Sequence, residues 1–219
     1  MRTDGFRLEH LVCETPAPER APGFLWYEHD CDLLEAGTVP RGPLPAAAHL
    51  IAATRRGPSE ALRKVLPHLK ETAASHLQFE AGNDLQHSSR AVTTARDHGI
   101  AIIAAHHLHS PPATAAELRA AVLRLKALET PFIKIVFPVS AQRQVWWSIE
   151  LLADWPHSDV ALSLTPAGGV QARLAAALAG SRLVYAPLTD TRERMAAHWY
   201  RHLLGNEART TEDNGARIS

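Results

Sequence analysis

Short apolar runs alternate along this chain with segments whose apolar positions recur at helical spacing. Residues 48–54, 76–81, 100–105, 132–138, 160–164 and 182–185 read as strands. Between them, 59–75, 84–98, 114–128, 140–155 and 170–179 read as helices, and 189–204 reads as a closing helix that carries Met195, Trp199 and Leu203. Local signals agree with these limits. Pro67 bends or interrupts the first helix, Asp84 caps the second and Gly99 ends it, and Thr114 with Glu117 has capping-box spacing. Upstream, 23–28 reads as a strand running into the charged cluster Glu28, His29, Asp30 and Asp32, followed by a Pro/Gly-rich connection over 37–45. Residues 6–13 read as a first strand, but Pro16, Pro18 and Pro22 leave no room for a helix after it.

Strands alternating with helices at βα spacing imply a parallel sheet covered by helices. Eight such strands are enough to close a (β/α)8 TIM barrel, here with an abbreviated first βα unit. An open doubly wound sheet is the alternative, and the absence of a glycine-rich phosphate or dinucleotide loop after any strand counts against it. The expected organisation is one domain over 1–204 and a polar, disordered tail over 205–219.

The run Phe132-Ile133-Lys134-Ile135-Val136-Phe137-Pro138 sets one ammonium inside an apolar strand. Alternation makes both faces of that strand apolar, so both read as buried. Burial disfavours a charged amine and favours a nucleophile able to form a Schiff base with a ketone. The other reading is an edge-strand lysine whose amine snorkels to solvent and blocks aggregation.

Composition narrows the partners. Lys plus Arg and Asp plus Glu both number 23, so nothing in the charge balance calls for nucleic acid or an anionic membrane. Two cysteines, Cys13 and Cys31, make no disulfide framework, and no segment resembles a signal peptide or membrane span, so a cytoplasmic protein is expected. His106, His107 and His109 invite a metal, but adjacent residues project in different directions and no HExxH or Cys/His spacing is present. Neither metal nor cofactor is expected.

In a barrel, catalytic groups sit at the carboxyl ends of strands. Those ends are polar here. They hold Glu28-His29-Asp30, Thr54-Arg55-Arg56, Gln78 with Glu80, His106-His107-Leu108-His109, Lys134, and a glycine-containing loop before Arg173. An amine nucleophile, histidines for proton transfer and arginines for a carboxylate suit a Schiff-base lyase or aldolase acting on a small keto acid.

The order of these residues resembles the type I 3-dehydroquinate dehydratases, (β/α)8 enzymes of aromatic amino acid biosynthesis that form a Schiff base with the substrate ketone. Lys134-Ile135-Val136-Phe137-Pro138 is similar to their Lys-Ile-Ala-Val-Met-Pro, with one residue fewer before the proline. Their Ser-x-His-Asp-Phe-x-x-Thr-Pro is similar to Ala104–Pro112, and counting back from Pro112 implies His106 as the acid/base, with His107 the competitor one register away. Thr54-Arg55-Arg56-Gly57-Pro58-Ser59-Glu60 is similar to Thr-x-Arg-x-x-x-Glu. It implies Arg56 as a substrate-binding residue and Glu60 as the carboxylate orienting the histidine; alternation alone does not choose between Arg55 and Arg56. The resemblance further implies Arg173 as a carboxylate clamp and Glu28 and Gln78 as substrate-binding residues. It covers about residues 23–188 and implies a homodimer; Trp146 and Trp147 on one helix suit either a self-association surface or simple packing.

Three departures stand out. Asp30 takes the place of an arginine in the family's Glu-Trp-Arg, and Gln78 that of an aspartate. The family's Ala-Pro-Gly-Gln lid is absent, leaving a shortened C-terminal region in which Ala186-Pro187-Leu188 leads directly into the closing helix. The resemblance implies conversion of 3-dehydroquinate to 3-dehydroshikimate with loss of water. The departures point to two alternatives: the same lysine acting on another keto substrate in a specialised biosynthetic pathway, or a non-catalytic binding barrel.

Overall fold

The computed structural model describes residues 10–15, 24–31, 44, 47–69, 74–81, 85–155, 159–165, 169–191 and 194–202. Eight strands form one sheet: β1 Leu11–Glu14, β2 Trp26–Asp30, β3 His49–Ala53, β4 Ala74–Glu80, β5 Ala101–His107, β6 Phe132–Pro138, β7 Val160–Thr165 and β8 Val184–Pro187. Every pairing is parallel, in the order β7-β6-β5-β4-β3-β2-β1-β8. The helices α1 Pro58–Lys64, α2 Leu66–Leu69, α3 Leu85–Asp97, α4 Ala115–Lys126, α5 Gln142–Asp154 and α6 Gly169–Leu178 lie between the strands in sequence. This is a (β/α)8 barrel.

The β7–β8 seam closes by other means than a ladder. The Arg182 N–H donates to the Val160 carbonyl at 2.8 Å. The buried Ser181 hydroxyl accepts from the Leu162 N–H at 3.0 Å and donates to the Leu183 carbonyl at 3.0 Å. A side chain thereby satisfies strand groups that the short β8 does not reach.

Most expected elements stand within a residue or two of their sequence limits, and Phe132–Pro138 is matched end to end. Thr114 caps α4 by accepting from the Glu117 N–H at 3.2 Å, and Gly99 takes the left-handed conformation after α3 (φ 72°). Pro67 falls in α2, so the expected first helix is divided at Val65. β6 lies between β5 and β7, which removes the edge-strand reading of Lys134. β5 runs on to His107, so His106 and His107 are strand residues pointing to opposite faces. No described residue between β1 and β2, or between β2 and β3, is helical. Residues 197–202 are helical, but a bridge between Thr191 and Arg194 precedes them, so β8 does not lead directly into the closing helix. Asp84 and the tail over 205–219 lie outside the described residues, within which no helix is long and apolar enough to cross a membrane. Cys13 and Cys31 are both buried.

The strands separate two apolar layers. One face packs Leu50, Leu77, Phe79, Ile102, Ile133 and Phe137 among the helices, and the other fills the barrel with Val12, Ile51, Ile103, Ala161 and Leu183. On α5, Trp147 packs against the core while Trp146 stays exposed. At the amino ends of the strands, Trp26 stacks on His49 (4.4 Å between ring centroids) and meets His76 (4.9 Å) and Phe132 (5.6 Å) edge-on. These rings form an aromatic layer at the barrel floor in which His76 is buried, Trp26 and Phe132 are half-buried and His49 is exposed.

His76 is the titratable group in that layer with the clearest consequence. Burial, reinforced by nearby His49, lowers its pKa to about 4 from an ordinary 6.5. Below pH 6.5 the unfolded chain takes up this proton and the folded chain does not, so His76 destabilises progressively as pH falls from 6.5 to about 4. The loss amounts to about 3 kcal/mol at the lower limit. His76→Phe is expected to flatten the pH dependence of urea-unfolding free energy in this window; an unchanged slope would show that the ring does not resist protonation.

Candidate active site

Three strands deliver inward-facing triplets of one layout: Trp26, Glu28 and Asp30 from β2; His76, Gln78 and Glu80 from β4; Phe132, Lys134 and Val136 from β6. The first member of each triplet joins the aromatic floor. The second members meet one another above it. Lys134 Nζ donates to Glu28 Oε2 at 3.1 Å and to Gln78 Oε1 at 3.1 Å. From β8, the Tyr185 ring centroid lies 3.4 Å from Nζ, a cation–π contact. All four residues are buried, Lys134 to 5% exposure. The structure thus places Lys134 on a buried inner face, as the apolar run predicted, with Glu28 and Gln78 its direct partners.

The electrostatics of this group are set by desolvation. Burial pushes the Glu28 carboxyl above the ordinary carboxylate range, against the opposing charge and hydrogen bond of Lys134. Burial, with the charges of Glu28 and Glu14, also holds the Tyr185 phenol well above its ordinary value, so the ring remains neutral. Its buried hydroxyl has no hydrogen-bond partner among the described residues.

Above Lys134 the barrel opens into a cavity of about 720 Å³ lined by Glu28, Gln78, Lys134, His107, Arg55 and Arg173, with Asp30 also on its wall. His107 shares the inward parity of Ile103, whereas His106 has the opposite one. Glu80 fixes both rings. Its Oε2 lies 2.6 Å from His107 Nδ1, its Oε1 lies 2.9 Å from His106 Nδ1, and the His107 backbone N–H donates to it at 3.1 Å. With Nδ1 committed to Glu80, His107 has Nε2 available for a ligand. Burial works to raise the Glu80 pKa, but the two histidines and the backbone N–H outweigh it and lower the carboxyl to about 2. Glu80 is therefore a fixed anion that holds donors in place.

Three sequence expectations change position here. His106 reaches Glu80 but is not on the cavity wall, where His107 stands, because the pleat sends adjacent residues to opposite faces. Arg55, not Arg56, lines the cavity. Arg56 pairs with Glu60, which also takes Lys64 Nζ at 3.0 Å, on the outer surface of α1. Glu60 thus anchors a helix turn, and Glu80 is the carboxylate that orients the histidines. Arg173, at the start of α6, does line the cavity as expected. Sequence reasoning placed Glu80 beside Gln78 among the polar strand ends without giving it a role, and it missed Tyr185, Glu14 and Arg194; Tyr185 and Arg194 carry no local signal. Among the described residues, no group of three His, Cys, Asp or Glu is arranged to hold a metal ion.

The fold has counterparts among solved structures. The type I 3-dehydroquinate dehydratase of Clostridium difficile, solved with covalently modified comenic acid, superposes with a TM-score of 0.77 at 13% identity over 95% of each chain. The 3-dehydroquinate dehydratase of Enterococcus faecalis gives 0.73 at 15% identity, over 93% of this chain and 95% of that one. That of Geobacillus kaustophilus gives 0.72 at 11% identity, over 93% and 91%. No protein-family model and no curated protein sequence matches the chain. At these identities the likeness is one of architecture: the chain has the (β/α)8 barrel fold of the type I 3-dehydroquinate dehydratases.

Proposed function

We propose that this protein is a Schiff-base-forming lyase that converts 3-dehydroquinate to 3-dehydroshikimate with loss of water. The observation that carries the reading is one buried lysine beneath an open cavity, with a proton acceptor on its amine and a carboxylate-anchored histidine on the cavity wall. The shared architecture with 3-dehydroquinate dehydratases supports it.

The chemistry follows from these positions. Glu28 takes a proton from the Lys134 ammonium, and the amine attacks the substrate ketone. The carbinolamine loses water to give a protonated imine, whose positive charge lies against the Tyr185 ring face. His107 Nε2 removes the proton alpha to the imine carbon, and the electron pair moves into the imine to form an enamine. The enamine expels the β-hydroxyl, which leaves as water with the proton returned by His107. A second water hydrolyses the conjugated imine and restores the amine. The water released in imine formation balances the one consumed in hydrolysis, so the net change is loss of one water from the substrate. Arg55 and Arg173 hold the anionic substrate from the cavity wall.

Asp30 favours a second reading. A carboxylate accepts hydrogen bonds where the arginine of the resembling family donates them, so its place on the cavity wall suits the same chemistry on a keto acid with different substituents.

Borohydride treatment in the presence of 3-dehydroquinate is expected to add the reduced substrate to the intact mass of the wild type and nothing to Lys134→Ala. Appearance of 3-dehydroshikimate absorbance should vanish in the same variant. An adduct without turnover would move the assignment to another keto acid, and no adduct with a panel of keto acids would leave a binding barrel.

His107→Ala is expected to lower turnover by about 10²- to 10⁴-fold, and His106→Ala by less than about tenfold. The reverse order would reassign the proton transfer to His106. Glu80→Gln should lower kcat by about 10²-fold through loss of ring orientation, with KM little changed. The Glu80 contribution to stability is present above the ordinary carboxylate pKa of 4.5 and is lost as pH falls toward about 2. Acid unfolding of Glu80→Gln should therefore lack that component, as read by circular dichroism across the window.

A further inference from the structure

The turn after β8 places an arginine at the cavity where the resembling family has a lid. Arg194 lines the cavity together with Arg173, which follows β7, and the two segments are neighbours around the barrel mouth. Arg194 is held from below. Its Nη2 pairs with Glu14 Oε1 on β1 and lies 3.5 Å from the Tyr185 carbonyl on β8. The bridge between Thr191 and Arg194 fixes the turn, and Asp190 ties it to the helical segment over 197–202 by accepting from the Ala196 N–H at 2.7 Å and the Trp199 indole at 3.1 Å. Arg194 is thus mounted on anchored structure.

Its donors are not all used. The buried Nε of Arg194 has no hydrogen-bond partner among the described residues. The Tyr200 hydroxyl is likewise buried and without a partner among them. Burial raises the Tyr200 phenol pKa while the charges of Arg173 and Arg194 both oppose the rise. A buried polar atom without a partner needs an explanation, and the guanidinium that carries the Nε orphan stands on the wall of the cavity that Arg173 also lines.

We infer that Arg194 is a substrate-binding residue that, with Arg173, receives the carboxylate of a cyclic hydroxy acid, exchanging its contact with Glu14 for one with the ligand. Glu14 also lines the cavity, so it remains solvated when released and the exchange strands no buried charge. The guanidinium fork suits a bidentate carboxylate, and a second guanidinium adds charge-assisted bonds from the other side. The inference rests on the lyase reading only for the identity of the acid. It assigns to the turn after β8 the task of holding the anionic end of the ligand, in a chain that lacks the Ala-Pro-Gly-Gln segment.

Calorimetric titration with quinate and with its methyl ester tests this. Quinate carries the ring hydroxyls and carboxylate but no ketone, so its binding is independent of Schiff-base formation. The wild type is expected to bind the acid and to discriminate against the ester. Arg194→Ala should weaken quinate about 10- to 100-fold and leave the ester unchanged. Glu14→Gln, which removes the competing carboxylate, should tighten quinate several-fold. Equal binding of acid and ester by the wild type, no quinate binding at all, or equal weakening of both ligands in Arg194→Ala would overturn the assignment. Should Arg194→Ala fail to fold, Glu14→Gln decides the matter: no gain in quinate affinity also overturns it. Intact discrimination with a silent borohydride trap would sink the lyase reading alone, and the converse pattern would sink the Arg194 assignment alone.

Discussion

An ammonium removed from water at the centre of a closed sheet is tolerated only where other groups replace its solvation, and the middle layer of this barrel is built around that requirement. Glu28 from β2, Gln78 from β4 and the Tyr185 face from β8 converge on Lys134 Nζ from β6. The four residues come from four separate strands, so the arrangement exists only when the barrel is closed. Removing one partner would leave a buried charge short of compensation, a costlier defect than loss of an apolar contact of similar size. The same group that constrains the fold carries the amine on which the proposed chemistry rests.

Layers above and below define what the ammonium meets. Beneath it, the rings of Trp26, His49, His76 and Phe132 pack together at the amino ends of the strands. Above it, polarity rises toward the carboxyl ends, with Glu80 and the two histidines on one side and the arginines on the others. This gradient follows from strand geometry. Successive inward positions on one strand lie at increasing height, so Phe132, Lys134 and Val136 sample floor, buried polar layer and cavity wall in turn.

Glu80 and Glu28 show how one residue type is given two tasks. Glu28 is buried with one strong partner, and desolvation raises its pKa, which suits a proton acceptor. Glu80 receives hydrogen bonds from two rings and a backbone N–H, which lower its pKa and suit an orienting anion. The difference comes from the number of donors, not from depth alone.

Much of this was legible in the chain. The apolar run around Lys134 marked a strand apolar on both faces, with an edge position left open until the sheet order was known, and regular alternation of strands and helices implied a parallel sheet with a helical coat. The strand-end pattern placed Glu28, Gln78 and Arg173 at one end of the barrel, and the resemblance to the dehydratases implied their roles in one site. What they could not supply was the choice between neighbours. Arg55 and Arg56, or His106 and His107, differ by one position, and which of each pair faces inward depends on where the strand ends and how the pleat runs through it. The same holds for carboxylates. Glu60 lies close to Arg56 in sequence and pairs with it on a helix surface, whereas Glu80 meets the histidines across neighbouring strands. Tyr185 and Arg194 reach the centre from the last strand and the turn after it, through the closure of β8 on β1. Sequence determined which elements form and which faces they bury, because those follow from local periodicity and the cost of exposing apolar surface. Tertiary structure decided which charged groups meet, because that depends on register between strands far apart in the chain.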